Sequence, residues 1–158
     1  MNDLIVPNLH PVIVHFSVAL LTTATVVLLI AMFKKQTGIN DRLLIAGRTM
    51  FWIGFGALVL TVLAGLQAYY SVGHDAPSHR AMTDHRNWAL AAMAISIVAA
   101  GLMWREDLNG TIMTVLVIST TMLLITAYKG GDLVYRYGLG VMSMPEITGD
   151  GHDHDHEG

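Results

Sequence analysis

A single apolar run near the start of the chain constrains its fold more than any other feature. Residues 9–33, LHPVIVHFSVALLTTATVVLLIAMF, contain no Asp, Glu, Lys or Arg, and only His10 and His15 can ionise near neutral pH. A helix that crosses the hydrocarbon core of a bilayer needs about 20 apolar residues. The run therefore predicts a membrane-spanning helix, in which an ionisable side chain is a candidate functional residue.

The composition of the whole chain supports a membrane protein. Of the 158 residues, 53% are hydrophobic and 13% are charged, and the mean hydropathy is +0.52. The net charge of -3 gives no indication of nucleic-acid binding. Because there is no cysteine, disulfides, thiolate metal sites, iron–sulfur clusters and covalently attached c-type haem are excluded.

Four apolar stretches predict four membrane spans, at about residues 9–33, 43–70, 87–104 and 111–128. Short connections after the first and third spans make those neighbours antiparallel, so the predicted fold is all-α, an integral membrane up-down four-helix bundle over residues 1–141. Residues 142–158 form an acidic, His-rich segment that we expect to be a flexible tail. No internal repeat is evident from the sequence.

Basic residues indicate an orientation in the membrane. One side carries Lys34, Lys35, Arg42, Arg48 and Arg105, and the other carries Arg80, Arg86, Lys129 and Arg136. The bias is slight and favours both termini on the periplasmic side of a bacterial inner membrane. The first run is interpreted as a span rather than a cleaved signal peptide, because its basic residues follow it and its apolar core is long.

All eight histidines lie on one side of the membrane in this topology. At about 1.5 Å per residue, counted from Phe33, Trp104 and Thr111, His15 lies roughly 27 Å, His85 roughly 28 Å and Tyr128 roughly 26 Å from the opposite face. His15 and His85 are therefore predicted to share one layer. His10 precedes His15 by five residues and points roughly 140° away around the helix.

Two imidazoles from facing helices at one height can hold a b-type haem as axial ligands. We predict His15 and His85 as the ligands, with His10 as the second choice or as a supporting residue. Nearby cations and phenols would hold the propionates, and the predicted residues are Arg86, Lys129, Arg136, Tyr128 and Tyr135. A histidine near a membrane interface can also have a purely structural role, with its polar tip among the headgroups.

Two segments near the C-terminus carry further expectations. Gly130 and Gly131 are predicted to end the fourth helix in a sharp turn, so that residues 132–141 form a lid or an interfacial anchor. The tail alternates His and Asp, and His152, His154 and His156 are predicted either to bind Zn, Ni or Cu weakly or to be solvated.

Two motifs together resemble a known family. LHPVIVHFSVAL at the start and GGDLVYRYGLGV after the fourth span are similar to the bacterial membrane family "domain of unknown function 2231". Its pattern is an HPxxVHFP-like start, four spans, a histidine entering the third span and a GGxLVYxxGxGV-like end. The resemblance covers about residues 9 to 141, and Ser17 stands where many members have Pro.

The resemblance implies which positions recur in the family, and these are His10, His15, His85, Gly130, Gly131, Tyr135, Gly138 and Gly140. Similar members are sometimes joined to c-type cytochrome or other redox modules. That association implies a role near periplasmic electron transfer.

The sequence thus predicts a haem b protein of the inner membrane that transfers electrons near the periplasmic face, with no substrate chemistry required of the protein itself. The expected partners are the lipid bilayer and a periplasmic cytochrome, a quinone or a larger respiratory complex. Three alternatives stay open. One is a Cu or Zn binding or transport protein that uses the histidines, another is a structural subunit of a respiratory complex, and the third is a haem enzyme with one open axial position.

Overall fold

The structure, a computed structural model, describes residues 9–34 and 38–141 and contains four long α-helices in that part of the chain. They are α1 His10–Phe33, α2 Gly38–Ser71, α3 Ala76–Arg105 and α4 Gly110–Tyr135. Each helix is long and apolar enough to cross a membrane. The predicted all-α, four-span fold is confirmed. The tail residues 142–158, including His152, His154 and His156, lie outside the described residues.

Local sequence signals set the helix ends. Pro11 occupies the first turn of α1, where its missing N–H costs no hydrogen bond. The carboxylate of Asp75 accepts a hydrogen bond from the backbone N–H of Ser78 at the start of α3, and the side chain of Asn109 accepts one from Ile112 at the start of α4. Both are N-caps of the preferred kind.

Three helices are longer than the spans predicted from apolar residues alone. α2 begins at Gly38 rather than near residue 43. α3 begins at Ala76 rather than near residue 87, and α4 continues through Gly130 and Gly131 to Tyr135. The sharp turn predicted at Gly130 and Gly131 was therefore wrong. The chain turns instead at Gly138 and Gly140, which have φ angles of +62° and +83° that glycine adopts without a Cβ clash.

The helices pack as two hairpins. α1 packs mainly against α2 and α3 mainly against α4, while α2–α3 and α1–α4 contacts join the hairpins. The core combines large side chains such as Phe51, Leu28 and Leu116 with alanines and buried hydroxyls. Large apolar side chains are exposed along all four helices, as expected of a surface that contacts lipid.

The two hairpins bury equivalent positions, which reveals an internal repeat that sequence inspection did not find. The buried residues Leu21, Ala24, Thr25 and Leu28 of α1 lie 75 residues before the buried Ser96, Ala99, Ala100 and Met103 of α3. The buried Phe51, Gly54, Leu58 and Thr61 of α2 lie 65 residues before the buried Leu116, Ser119, Leu123 and Thr126 of α4.

Specific contacts repeat as well. A Cβ added at Gly54 would lie 3.0 Å from Cγ of Leu21, and the equivalent residues Ser119 and Ser96 are joined by a 2.7 Å hydrogen bond. The second hairpin therefore repeats the first in packing register although most of the side chains differ. Under this correspondence His10 is equivalent to His85, and Gly65 to Gly130.

Candidate functional site

The equivalent residues His10 and His85 meet at one end of the bundle, which we call the histidine end. Their ring centroids are 6.2 Å apart and their ring planes are 85° apart. Both histidines are half-buried. α1 and α3 are not neighbours in the bundle, so the two imidazoles meet across its middle, between the two repeats.

The imidazole of His10 is oriented by α2. Its Nδ1 lies 3.0 Å from the backbone carbonyl oxygen of Thr61. Because a carbonyl can only accept, this contact puts the ring proton on Nδ1 and the lone pair on Nε2. Histidines that bind metals are commonly held in this way, with the second nitrogen donating to a carbonyl.

The imidazole of His85 has one unsatisfied nitrogen. The backbone carbonyl of Thr126, the equivalent of Thr61, interacts with this ring. Its Nδ1 is nevertheless buried and has no hydrogen-bond partner among the described residues. Buried polar atoms are rarely left unpaired, so each exception needs a physical explanation.

A glycine on a third helix makes room for each ring. A Cβ added at Gly65 of α2 would lie 3.0 Å from Cε1 of His10, and one added at Gly130 of α4 would lie 3.2 Å from Cε1 of His85. All four helices therefore build the site. Each repeat contributes one histidine, one carbonyl and one glycine.

The structure does not bring His15 to His85, as the height comparison had predicted. The side chain of His15 is exposed, and its Nδ1 lies 2.6 Å from the carbonyl oxygen of Pro11 in the same helix. The prediction had aligned Phe33 with Trp104, whereas the repeat aligns Leu28 with Met103. Relative to the predicted alignment, α1 is therefore displaced along α3 by about one turn. His10, and not His15, lies at the height of His85.

The three cations predicted for propionates all have protein partners. Lys129 forms an ion pair with Asp84, and Arg136 forms one of 2.7 Å with Asp132. The guanidinium of Arg86 lies 4.6 Å from the ring centroid of Tyr69. Lys129 is next in sequence to Gly130, and its charge interacts with the ring of His85.

The other predicted residues at this end lie on the surface. Tyr128 and Tyr135 are 72% and 91% exposed, which places their rings where lipid or headgroups would be rather than beside the histidine pair. Within residues 9–34 and 38–141, no three His, Asp or Glu side chains converge as a metal site would require.

Sequence reasoning missed Thr61, Gly65 and Thr126. The available signal was the repeated pair TVLAG and TAYKG at residues 61–65 and 126–130, in which Thr and Gly are four residues apart on one helix face. Lys129 and Gly130 were predicted to have other roles, Lys129 as a cation that binds a propionate and Gly130 as a turn residue.

Residues 6–143 match the family described as "Predicted membrane protein (DUF2231)". The chain belongs to this family. Because the match covers most of the chain, both repeats of this DUF2231 protein lie within the matched residues. No curated protein and no solved structure matches the chain.

The structure gives a physical role to several positions that the DUF2231 resemblance had marked. His10 and His85 form the pair, Gly130 contacts the ring of His85, and Gly138 and Gly140 adopt positive φ angles. A Cβ added at Gly131 would meet nothing within 4 Å, so the structure offers no packing reason for that glycine.

Proposed function

We propose that this membrane protein binds b-type haem between His10 and His85 and transfers electrons at the histidine end of the bundle. The observation that carries the proposal is that two half-buried imidazoles from different helices meet across the middle of the bundle. Nδ1 of His85 is buried there without a hydrogen-bond partner among the described residues. Iron bound between the two rings would be held by one nitrogen of each imidazole.

The number of ligands favours haem over a free metal ion. A zinc site uses about three or four protein ligands, and only two histidines converge here within the described residues. Haem already supplies four equatorial nitrogens, so two imidazoles complete its coordination. The ring centroids are 6.2 Å apart, which is close to the separation of two imidazoles that share one metal atom at metal–nitrogen distances of about 2.0–2.1 Å.

The chain's own residues would hold the rings rather than perform chemistry. The carbonyl of Thr61 keeps the proton of His10 on Nδ1, so the lone pair of the ring is on Nε2. Gly65 and Gly130 admit the two rings. When bound, haem would supply one-electron transfer.

The charge needed near propionates is available at this end. Lys129 can leave Asp84 for a propionate, because the Lys129–Asp84 pair is partly exposed and exposed ion pairs are weak. In a bacterial cell, the histidine end would face the periplasm by the slight excess of basic residues at the opposite end. A soluble cytochrome, a quinone or a respiratory complex could then exchange electrons there.

The test is the absorption spectrum of the full-length protein, purified in detergent and loaded with haem. We expect a low-spin spectrum in the wild-type protein that is lost in both His10→Ala and His85→Ala. His15→Ala is the matched control and should keep the spectrum, because His15 is exposed and its ring is hydrogen-bonded to Pro11 of its own helix.

Two results would contradict the proposal. A protein that takes up no haem would leave the histidine pair as a structural contact, and a protein that takes up Cu or Zn without a Soret band would support the metal alternative. Loss of the spectrum in His15→Ala but not in His10→Ala would show that the relevant pair is not the one seen here.

A further inference from the structure

A polar cleft lies at the histidine end between the start of α3 and the end of α4. Its volume is about 470 Å³, and its wall includes Arg80, Asp84, Lys129, Asp132 and Tyr137. Asp84 and Lys129 are next in sequence to His85 and Gly130, so the cleft lies just outside the histidine pair. We call it the α3–α4 cleft.

The internal repeat supplies a comparison for this cleft. The first hairpin has Leu9, Ala64 and Gln67 at the positions equivalent to Asp84, Lys129 and Asp132. The same helix packing is thus built in the first hairpin without a charge at any of these three positions. The charges of the α3–α4 cleft are therefore not required by the fold.

Two polar groups in the cleft lack partners. Within the described part of the chain, neither the guanidinium of Arg80 nor the hydroxyl of Tyr137 makes a hydrogen bond or an ion pair. Asp84 and Asp132 each have one oxygen in an ion pair, with Lys129 and Arg136 respectively. The cleft therefore offers donors for an anion and carboxylate oxygens for a cation.

The height of the cleft matches the headgroup layer of a membrane. Trp88 begins the apolar part of α3, and tryptophan is enriched at membrane–water interfaces. The ammonium group of Lys129 lies 5.7 Å from the ring centroid of Trp88, so the cleft lies at that interface. On the same helix as Asp132, Val134 and Tyr135 expose apolar surface along which acyl chains can lie.

We propose that the α3–α4 cleft binds the headgroup of a zwitterionic phospholipid that carries a phosphate and a primary ammonium, as phosphatidylethanolamine does. Arg80 and Tyr137 donate to the phosphate, and the carboxylates of Asp84 and Asp132 accept from the ammonium. A purely anionic headgroup would bring its charge near both carboxylates, and a quaternary ammonium has no N–H to donate to them.

The experiment is native mass spectrometry of the full-length protein in detergent, titrated with phosphatidylethanolamine, phosphatidylcholine or phosphatidylglycerol of identical acyl chains. We expect one phosphatidylethanolamine per protein, bound about tenfold more tightly than the other two lipids, the effect of one charge-assisted hydrogen bond. Arg80→Ala should weaken the binding of all three lipids, and Asp132→Asn should remove the preference for phosphatidylethanolamine.

The control is Gln67→Ala, which changes the equivalent position of the first hairpin and should bind lipid as the wild type does. Equal binding of the three lipids, or unchanged binding by Arg80→Ala, would overturn the proposal. Soluble phosphorylethanolamine is the second probe, and if it binds as tightly as the lipid, the lipid assignment is overturned. None of these readouts depends on haem, so the two proposals can fail separately.

Discussion

The imidazole of His10 stands nearly perpendicular to that of His85, with ring centroids 6.2 Å apart. The two residues occupy equivalent positions of the two repeats, and a glycine of the following helix contacts each ring. A duplicated hairpin brings two copies of one residue together across its middle, as the proposed haem site requires.

The ring orientation predicts a spectroscopic property of the haem-loaded protein. Perpendicular axial imidazoles leave two iron d orbitals nearly equal in energy, whereas parallel rings separate them. We expect a strongly anisotropic low-spin signal in electron paramagnetic resonance of the oxidised protein. A rhombic low-spin signal would mean that the rings do not keep the 85° angle between their planes.

Replacing the contact glycines tests the packing of the site independently of haem. In Gly65→Ala and Gly130→Ala the new methyl would lie 3.0 Å and 3.2 Å from the imidazoles, and overpacking of this kind costs about 1–3 kcal/mol. Thermal unfolding in detergent should show both variants to be less stable than their controls.

The controls are glycines on the same helices, Gly56→Ala on α2 and Gly131→Ala on α4, because a Cβ at either position meets nothing within 4 Å. Alanine is preferred over glycine inside a helix by about 1 kcal/mol, so these variants should be as stable as the wild type or more so. Equal stability of all four variants would contradict the close approach of the rings to Gly65 and Gly130.

The fold and part of the site could be predicted from the sequence, for different physical reasons. Length and apolarity identify a membrane helix without reference to its neighbours, so the number of spans was predicted correctly. His10 and His85 were both recognised as candidates because they are ionisable groups beside apolar runs. Their pairing was missed because the relative height of two helices depends on packing register, which the ends of apolar runs do not define.

The repeat and the glycines were missed because they depend on shape rather than on residue identity. Gly54 corresponds to Ser119 and Phe51 to Leu116, so buried positions match where residue types do not. A glycine in a helix is usually interpreted as flexible backbone, whereas Gly130 lets the ring of His85 lie close to the backbone of α4. Only the three-dimensional contact distinguishes these two uses.

The buried hydroxyl pair of the second hairpin should stabilise the bundle. Ser96 and Ser119 are both buried, and their hydroxyl oxygens are 2.7 Å apart. Ser96 also donates to the carbonyl oxygen of Ala92, so Ser119 donates to Ser96. In a double-mutant cycle of Ser96→Ala and Ser119→Ala, we expect a coupling of about 0.6 kcal/mol, the average for such bonds between membrane helices.

Thr121→Ala is the control for this cycle, because Thr121 is exposed and its hydroxyl donates to Val117 of its own helix. Combined with Ser96→Ala it should show no coupling. A coupling near zero for the Ser96 and Ser119 pair would mean that the two hydroxyls find equally good partners when separated.

The start of α3 should lose stability in acid, because Asp75 caps it as a carboxylate. The hydroxyl of Ser78 and, second, its backbone N–H donate to this carboxylate, and both hold the pKa of Asp75 below its ordinary value of 3.8. The charge of His74 acts in the same direction. Since the pKa is lower in the folded state, the cap contributes fully above pH 3.8 and is lost as the pH falls through the depressed pKa.

Hydrogen exchange of the amides in the first turn of α3, expressed as protection factors, measures this loss. Between pH 7 and pH 4 protection should be constant, and it should fall at lower pH. Asp75→Asn keeps a capping oxygen without a titrating group, so its protection should stay independent of pH, whereas Asp75→Ala should lose protection at every pH. If the wild type and Asp75→Asn lose protection together in acid, another group controls the start of α3, and the carboxylate–Ser78 contact is not what holds it.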